Sequence, residues 1–275
     1  MRLDLSLSPF GAQLADLVEA ARRAEAAGFD GIWTYDHLSG SVAGATHSHD
    51  PWVVLTAIAS ATDRIHLGPL VLNATARHPA HIAVAAASLQ EYSGGRFMLG
   101  IGAGGGTDHY GAELGMVGLP RRPSPERRHR TAEAVRMIRA LWTGTGHLDG
   151  EFHPITDATG FLRPDHPPPI VVGVTGPKMA AVAGEVADAV AVHAWENPAA
   201  LAAAARHAAA DPRFPVWVEA RPTPEWLHGS GRQTLEDIRA ERVSYLWNVR
   251  AGFEAIDAIA AALELRPPNR GDLSD

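Results

Sequence analysis

The sequence predicts an α/β fold, a (β/α)8 TIM barrel, in a single domain over residues 1–275. Eight short apolar segments alternate with helical patterns, as in chains that join parallel strands through helices. Two of these segments, Ile65 to Leu72 and Phe97 to Ile101, are apolar enough to be buried on both faces, and the helix between them requires parallel pairing. With 275 residues, of which 46% are hydrophobic, the chain can enclose one large core.

The strands are predicted from apolar or alternating segments that end at Gly, Pro or polar residues. Arg2 to Ser8 alternates, whereas the later segments are mostly continuous apolar runs, as expected for a parallel sheet. Their number matches the eight strands that close a TIM barrel. The predicted strands are residues 2–8, 31–35, 65–72, 97–101, 169–174, 189–193, 216–221 and 243–248.

The helices are predicted from apolar residues spaced three and four apart, with Gly28 as the stop signal of the first helix. An open doubly wound sheet is the alternative fold, but its G-x-G-x-x-G motif would follow the first strand, and here the glycine cluster follows the fourth. Residues 144–155 predict a hairpin-like excursion. The predicted helices are residues 13–27, 51–61, 78–92, 125–142, 178–186, 199–209, 234–242 and 253–263.

The composition limits the classes of partner. A net charge of -7 with dispersed Lys and Arg argues against binding to nucleic acid. The absence of Cys excludes disulfides and thiolate chemistry. The first residues lack the apolar core of a signal peptide, and no apolar run reaches the length of a membrane span. We therefore expect a cytoplasmic protein that acts on a small molecule, with no nucleic acid and no membrane as partner.

In a TIM barrel the active site lies at the carboxyl ends of the strands. Asp36 and His37 directly follow the second predicted strand. A histidine, with an ordinary pKa of about 6.5, could exchange a proton or hydrogen-bond a cofactor ring. The alternative is a loop histidine that is hydrogen-bonded to Asp36 and has no catalytic role.

Two turns at other strand ends are candidate binding loops. Glycines that lack side chains would let a phosphate or a flat ring approach the backbone, and the amino end of a helix could hold a phosphate. A flexible loop and an ordinary strand-to-helix turn are the alternatives. The residues concerned are Gly102, Gly104 and Gly105 after the fourth strand, and Thr175, Gly176 and Pro177 after the fifth.

His47, His49 and Asp50 lie close in sequence to His37 and suggest a metal hydrolase as an alternative function. Imidazole and carboxylate groups are ordinary Zn²⁺ ligands. However, His47 and His49 stand in the middle of a loop, which favours a solvated loop or a substrate gate. The sequence therefore predicts no metal site.

Several segments resemble the bacterial luciferase-like superfamily of flavin- and deazaflavin-dependent oxidoreductases. Its hallmark segment is similar to RHPAHIAVAAASLQEYSGGRFMLGIGAG at 77–104. Further matches are GFDGIWTYDH, RIHLGPLVLN, RTAEAVRMIRALWTG and PPIVVGVTGPKMAAVAGEVADAVAV, whereas the chain beyond residue 197 is similar only in pattern. The resemblance implies a luciferase-like TIM barrel that binds FMN or coenzyme F420 over the carboxyl ends of its strands.

The resemblance also implies roles for individual residues. The Asp36-His37 pair resembles the F420-dependent branch, in which the histidine lies by the deazaflavin ring and takes part in binding or proton transfer. Both residues are thereby candidate catalytic residues. Leu70-Val71 matches by position a bulge behind the ring that often contains a non-proline cis peptide. The other implied contacts, to the ring edge, the ribityl chain and the phosphate, are Asn73, Gly102, Gly104, Gly105, Asp108, Thr175, Gly176 and Pro177.

We therefore expect an F420-dependent oxidoreductase that moves hydride between C5 of the deazaflavin and a small organic substrate. An FMN-dependent monooxygenase of the same superfamily, the metal hydrolase and a non-catalytic flavin-binding relative are the alternatives. Gly105 stands where sugar-phosphate dehydrogenases of this branch have an acidic residue, and the usual insertion after strand six or seven is shortened. The substrate is therefore not implied. A homodimer formed by helices near the third and fourth units is implied.

Overall fold

The strands form a parallel barrel in which each strand pairs with its neighbours in register. The computed structural model describes residues 1–105, 108–223, 226 and 229–267, and of residues 108–110 the backbone alone. The strand order is β3-β2-β1-β9-β8-β7-β6-β5-β4. The strands are β1 (Arg2–Leu7), β2 (Gly31–Thr34), β3 (His66–Pro69), β4 (Leu72–Asn73), β5 (Leu99–Gly102), β6 (Ile170–Gly173), β7 (Ala189–His193), β8 (Val216–Ala220) and β9 (Arg242–Trp247).

Two short strands share the third position of the barrel. The sequence predicts one strand over residues 65–72, but a cis peptide bond at Leu70-Val71 divides it into β3 and β4. A parallel bridge joins Leu67 of β3 to Phe97, just before β5, and Asn73 of β4 pairs with Gly102 of β5. β3 and β4 together therefore fill the gap between β2 and β5, which confirms the predicted (β/α)8 barrel.

Helices cover the outside of the barrel, and local signals set their ends. Gly28 ends the first helix in the left-handed conformation, and the side chains of Asp50 and Asn197 cap two later helices. No helix in the described part of the chain combines the length and apolar character needed to cross a bilayer. The helices are α1 (Leu14–Ala27), α2 (Pro51–Ala61), α3 (Pro79–Tyr92), α4 (Asp108–Met116), α5 (Ser124–Thr143), α6 (Pro177–Val186), α7 (Pro198–Ala209), α8 (Ser230–Asp237) and α9 (Glu254–Ala262), with 3-10 turns at Gly40–Ala43 and Val249–Ala251.

The structure differs from the sequence prediction at two helices. Helix α4 is not predicted by the sequence pattern. The helix predicted over residues 234–242 is present but has the wrong bounds, because α8 begins at Ser230 and ends at Asp237, and Arg242 begins β9. Arg242 belongs to the strand because its guanidinium is buried against the carboxylate of Asp4 on β1. The predicted hairpin is confirmed by the antiparallel bridge between Leu148 and Ile155.

Alternation along the strands separates two apolar clusters. On β6 and β8, Val172 and Val218 belong to the large cluster that packs against the helices, whereas Val171 and Trp217 belong to a smaller one. Because neighbouring side chains point to opposite faces of a strand, the smaller cluster fills the inside of the barrel. Its members are Trp33, Met98, Val171, Ala189, Ala191 and Trp217.

Candidate active site

Consecutive strand ends bring most of the predicted site residues together. The backbone N–H of Asn73, at the end of β4, donates to Asp36 Oδ2 after β2 at 2.9 Å. Asn73 also pairs with Gly102 of β5, which in turn pairs with Gly173 of β6, four residues from Pro177. The predicted residues on these four segments therefore line one continuous half of the carboxyl rim.

Asp36 is buried and fully engaged by protein groups. Arg77 donates from Nε to Asp36 Oδ2 at 2.9 Å and from Nη2 to Oδ1 at 2.8 Å, and Nη2 also donates to Asp50 Oδ2 at 2.7 Å. Burial lowers the pKa of Arg77, but the hydrogen bonds and charges of Asp36 and Asp50 outweigh it, so the pKa is raised. Asp36 therefore holds the β2 and β4 ends in position rather than presenting a free acid.

His37 is oriented by a carboxylate from α4. Its Nδ1 lies 2.9 Å from Oε1 of the buried Glu113. Glu113 Oε2 accepts backbone N–H groups from Leu38 at 2.8 Å and Ser39 at 3.0 Å. These three contacts to one buried carboxyl group fix the orientation of the His37 ring.

Val71 projects into the barrel from the cis peptide predicted at Leu70-Val71. A Cβ atom on Gly102 would lie 2.6 Å from Cγ2 of Val71, and one on Gly173 would lie 2.8 Å from Cγ1. Both glycines therefore make room for the Val71 side chain, independently of any ligand. The result is a small apolar surface inside the carboxyl half of the barrel.

The glycine loop after β5 is held by side chains of the protein. Gly104 has a φ of +71°, and a Cβ there would lie 2.4 Å from Asn73 Oδ1. Arg127 Nη1 donates to the carbonyl oxygens of Ala103 at 3.2 Å, Gly104 at 2.5 Å and Gly105 at 3.1 Å. These contacts fix the loop from the α5 side. Asp108, the last predicted member of this loop, begins α4, and its side chain lies outside the described part of the structure.

The turn after β6 presents an open helix amino terminus. Gly176 is the N-cap of α6, makes no side-chain cap and has no atom within 4 Å of the position that a Cβ would occupy. Thr175 and Pro177 beside it are exposed, as is Lys178 in the first helical turn. Uncapped backbone N–H groups and a nearby ammonium group suit an anion such as a phosphate.

The residues of the metal hydrolase hypothesis have protein partners instead. Nε2 of His47 and Nε2 of His49 each lie 2.9 Å from the carbonyl oxygen of Ala12. Asp50 caps α2 and pairs with Arg77. Among residues 1–105, 108–223, 226 and 229–267, no group of three His, Cys, Asp or Glu side chains is placed to hold a metal ion.

A second polar group, not predicted as a site, lies on the opposite half of the rim. The Tyr35 hydroxyl donates to Oε1 of the buried Glu219 on β8. Oε2 of Glu219 lies 3.3 Å from Nε2 of His193, at the end of β7. Burial lowers the pKa of His193, but its contacts with Glu219 and the charge of Glu196 outweigh burial, so the pKa is raised above 6.5. The signal in the sequence is the acid in an otherwise apolar strand, VWVEA.

A cavity of about 240 Å³ lies at the other end of the barrel. Its lining includes Arg2, His66, Ala189 and Arg242, which begin their strands. It is therefore separated from the carboxyl rim by the apolar cluster inside the barrel. In this fold the amino face supports stability, whereas catalysis takes place at the carboxyl face.

Comparison with known proteins adds two relatives by sequence. The chain is 36% identical over 178 residues to the F420-dependent glucose-6-phosphate dehydrogenase of Amycolatopsis mediterranei, covering 63% of this chain and 51% of the relative. It is 34% identical over 246 residues to the F420-dependent hydroxymycolic acid dehydrogenase of Mycobacterium tuberculosis, covering 86% of this chain and 64% of the relative. The chain thus spans about half the length of the first relative and 64% of the second.

A solved structure shares the fold over nearly the whole chain. An F420-dependent secondary alcohol dehydrogenase in complex with an F420-acetone adduct superimposes with a TM-score of 0.77 at 20% identity, covering 95% of this chain and 98% of that one. At this identity the likeness establishes the barrel alone. The sequence profile of one family matches residues 2–222. The chain belongs to the luciferase-like monooxygenase family.

Proposed function

We propose that the protein is an F420-dependent oxidoreductase that moves hydride between C5 of the deazaflavin and a small organic substrate. The observation that carries the proposal is the Asp36-His37 segment, which Glu113 orients and which is hydrogen-bonded to the Val71 bulge through Asn73. The names of the relatives, which are F420-dependent dehydrogenases, support the same cofactor.

The residues on the carboxyl rim fit a planar ring with an anionic tail. Val71 supplies an apolar surface for the ring, and His37 stands at the strand end beside it. The uncapped amino terminus of α6, with Thr175, Gly176 and Pro177, would hold the phosphate. When bound, the deazaflavin would supply a carbon that accepts or donates hydride.

His37 is the residue proposed to act on the ring. Glu113 fixes the imidazole through Nδ1, and the ring would serve the ligand as hydrogen-bond partner or proton carrier. Asp36 acts indirectly, because its oxygens are occupied by Arg77 and Asn73. The catalytic role predicted for Asp36 is thus proposed as positioning.

The test is a titration of the purified protein with F420 and, separately, with FMN. We expect retained absorbance and quenched cofactor fluorescence with F420, and F420 reduction by at least one donor among 2-propanol and glucose 6-phosphate. Tight FMN binding together with O₂ consumption, and no F420 binding, would favour the monooxygenase instead. F420 binding without reduction by either donor would support the non-catalytic alternative.

The role of His37 is tested by His37→Ala, with His147→Ala as the matched control because His147 is an exposed hairpin histidine. We expect His37→Ala to reduce turnover on the order of 10²-fold, as for loss of a general acid or base, and His147→Ala to have no effect. Full turnover by His37→Ala would contradict the assignment.

We also propose a homodimer. Helix α3, in the third unit, exposes two large apolar side chains, Val84 and Tyr92, which a partner subunit would cover. Light scattering should then give twice the chain mass of 29.2 kDa, whereas a single chain mass at micromolar concentration would contradict it.

A further inference from the structure

Four titratable side chains follow one another on the half of the rim that the proposed cofactor residues leave uncovered. Tyr35 donates to Glu219 Oε1, and Glu219 Oε2 lies 3.3 Å from His193 Nε2. On the other side of the same ring, His193 Nδ1 lies 3.9 Å from Glu196 Oε1. In the barrel order, β2 is separated from β8 by β1 and β9. Tyr35 therefore reaches across the mouth to start this row.

The row runs from the interior of the mouth toward solvent. The Glu219 side chain is 7% exposed, whereas those of His193 and Glu196 are 35% and 32% exposed. Tyr35 begins the row beside the proposed cofactor site, two residues before His37 and in contact with the same Phe10 ring. One end of the row thus meets the site, and the other end meets water.

His193 is arranged to take part through both ring nitrogens. Nε2 faces Glu219, while Nδ1 is buried and has no hydrogen-bond partner among the described residues. The charged groups that face the ring are Glu219 from β8 and Glu196 from the loop after β7. Arg221 lies over Trp195, whose indole stacks on His193 at 4.6 Å. Burial lowers the pKa of His193, but the contacts with Glu219 and Glu196 outweigh burial and raise it.

We propose that Tyr35, Glu219, His193 and Glu196 form a proton relay between the substrate side of the barrel mouth and solvent. The inference rests on the proposed F420-dependent function. Hydride transfer from an alcohol also releases a proton from its oxygen, and a cofactor bound beside the substrate would exclude from the reacting atoms the water that could accept it. The relay carries this proton from the substrate to solvent. When a carbonyl is reduced, it carries a proton from solvent to the substrate.

For an alcohol donor, the C–H bond would break and its electron pair would leave as hydride, which the bound deazaflavin would accept, while the O–H electron pair would become the second bond of C=O. The hydroxyl proton moves to the Tyr35 oxygen as the Tyr35 proton moves to Glu219 Oε1. Glu219 then passes a proton from Oε2 to Nε2 of His193, and Nδ1 releases one toward Glu196, whose Oε1 lies 3.9 Å away and which delivers it to water. The Glu219–His193 pair thus gains one proton and loses one.

The first test follows the titration of His193 without any substrate. NMR of protein with ¹⁵N-labelled histidine should show a midpoint above 6.5 for His193. Removing the facing charge in Glu219→Gln should lower that midpoint by about one pH unit or more, and Glu196→Gln should lower it by less. An unchanged midpoint in both variants would overturn the relay.

The second test measures F420 reduction by 2-propanol and glucose 6-phosphate in Tyr35→Phe and His193→Ala. We expect losses on the order of 10²-fold, with partial recovery of His193→Ala by added imidazole, which a purely structural role would not produce. His207→Ala, an exposed histidine on α7, should match the wild type. Wild-type rates in Tyr35→Phe and His193→Ala, or a loss that imidazole does not restore, overturn the relay alone when F420 still binds. Absence of F420 binding in the wild type overturns the proposed function instead.

Discussion

An aspartate pairs with an arginine at each end of the barrel, with nearly the same geometry. At the amino end, Arg242 donates from Nε to Asp4 Oδ2 at 2.7 Å and from Nη2 to Oδ1 at 2.8 Å. At the carboxyl end, Arg77 and Asp36 form the same two contacts at 2.9 and 2.8 Å. The side chains of Arg242 and Asp4 are 2% and 1% exposed, whereas those of Arg77 and Asp36 are 25% and 4% exposed.

The surroundings of the two pairs give them different roles. Asp4 also accepts the indole N–H of Trp33 at 2.9 Å, and the pair joins β1 to β9, the first and last strands of the barrel. It therefore holds the barrel closed beneath the apolar cluster. Asp36 instead accepts the N–H of Asn73, and Arg77 extends to Asp50. The buried Asp4–Arg242 pair therefore contributes to stability. The partly exposed Asp36–Arg77 pair positions residues of the candidate site.

The largest expected effect comes from breaking the amino-end pair with Arg242→Met. This change leaves the Asp4 carboxylate buried without its cation, which costs about 3–5 kcal/mol of unfolding free energy. Urea denaturation measures the loss. Arg250→Met, at an exposed arginine, is the control and should change stability by less than about 0.5 kcal/mol.

We expect the folded Arg242→Met protein to bind F420 with near wild-type affinity, because this pair lies at the amino end of the barrel. A tenfold weaker affinity in protein shown to be folded would mean that the amino end also shapes the site. A stability loss below about 1 kcal/mol would contradict the role assigned to the buried pair.

Unfolding measured at several pH values tests which group makes the stability of the protein sensitive to acid. The candidates are the two Asp–Arg pairs and the buried His153. Burial, together with the neighbouring His78 and Arg130, lowers the pKa of His153 from 6.5 to about 4. Because the unfolded chain then binds the proton more readily, this contribution to stability is complete above pH 6.5 and falls until about pH 4. At 1.36 kcal/mol per pKa unit, the loss is about 3 kcal/mol.

Urea denaturation at several pH values measures this loss in the wild type and in His153→Leu. We expect His153→Leu to be less dependent on pH over that window. His147→Leu, at an exposed histidine of the same hairpin, should keep the wild-type slope. Equal slopes in the wild type and His153→Leu would place the acid sensitivity elsewhere.

The barrel was predictable because its signals are local. Apolar runs such as Ile65 to Leu72 report burial on both faces, and stop residues such as Gly28 report helix ends. The exceptions depend on distant partners. Arg242 looks like the end of a polar helix until Asp4, 238 residues away, explains its burial in a strand. Helix α4 has no strong apolar stripe, so its pattern gave no prediction.

For the site, sequence position predicted the segments but not their supports. Asp36, His37 and the two glycine turns follow strands, and a barrel places strand ends on one rim. Glu113 and Arg77 are 76 and 41 residues from the groups that they hold, and no local pattern reports such contacts. The glycines at 102 and 104 were expected to admit a ligand, whereas Val71 and Asn73 already account for the lack of side chains there.

Breaking the carboxyl-end pair should cause the smallest loss of stability, but it should weaken F420 binding. Asp36→Ala removes the acceptor of Arg77 and of the Asn73 N–H, which costs about 2 kcal/mol because the bonds involve charged groups. The β4 end and the loop after it then lose their anchor beside the proposed ring site. We expect the Kd for F420, measured by fluorescence titration, to rise on the order of tenfold, or about 1.4 kcal/mol.

Asp50→Asn is the matched control, because asparagine can still cap α2. The substitution removes only the partly exposed negative charge of Asp50 that contacts Arg77. It should cost at most about 1 kcal/mol and leave the affinity for F420 near that of the wild type. If Asp50→Asn and Asp36→Ala weakened F420 binding equally, the number of negative charges beside Arg77 would determine the affinity, and the specific contact with Asp36 would not. If Asp36→Ala lost stability but kept its affinity, both ends of the barrel would serve stability alone, and the division of roles between them would be wrong.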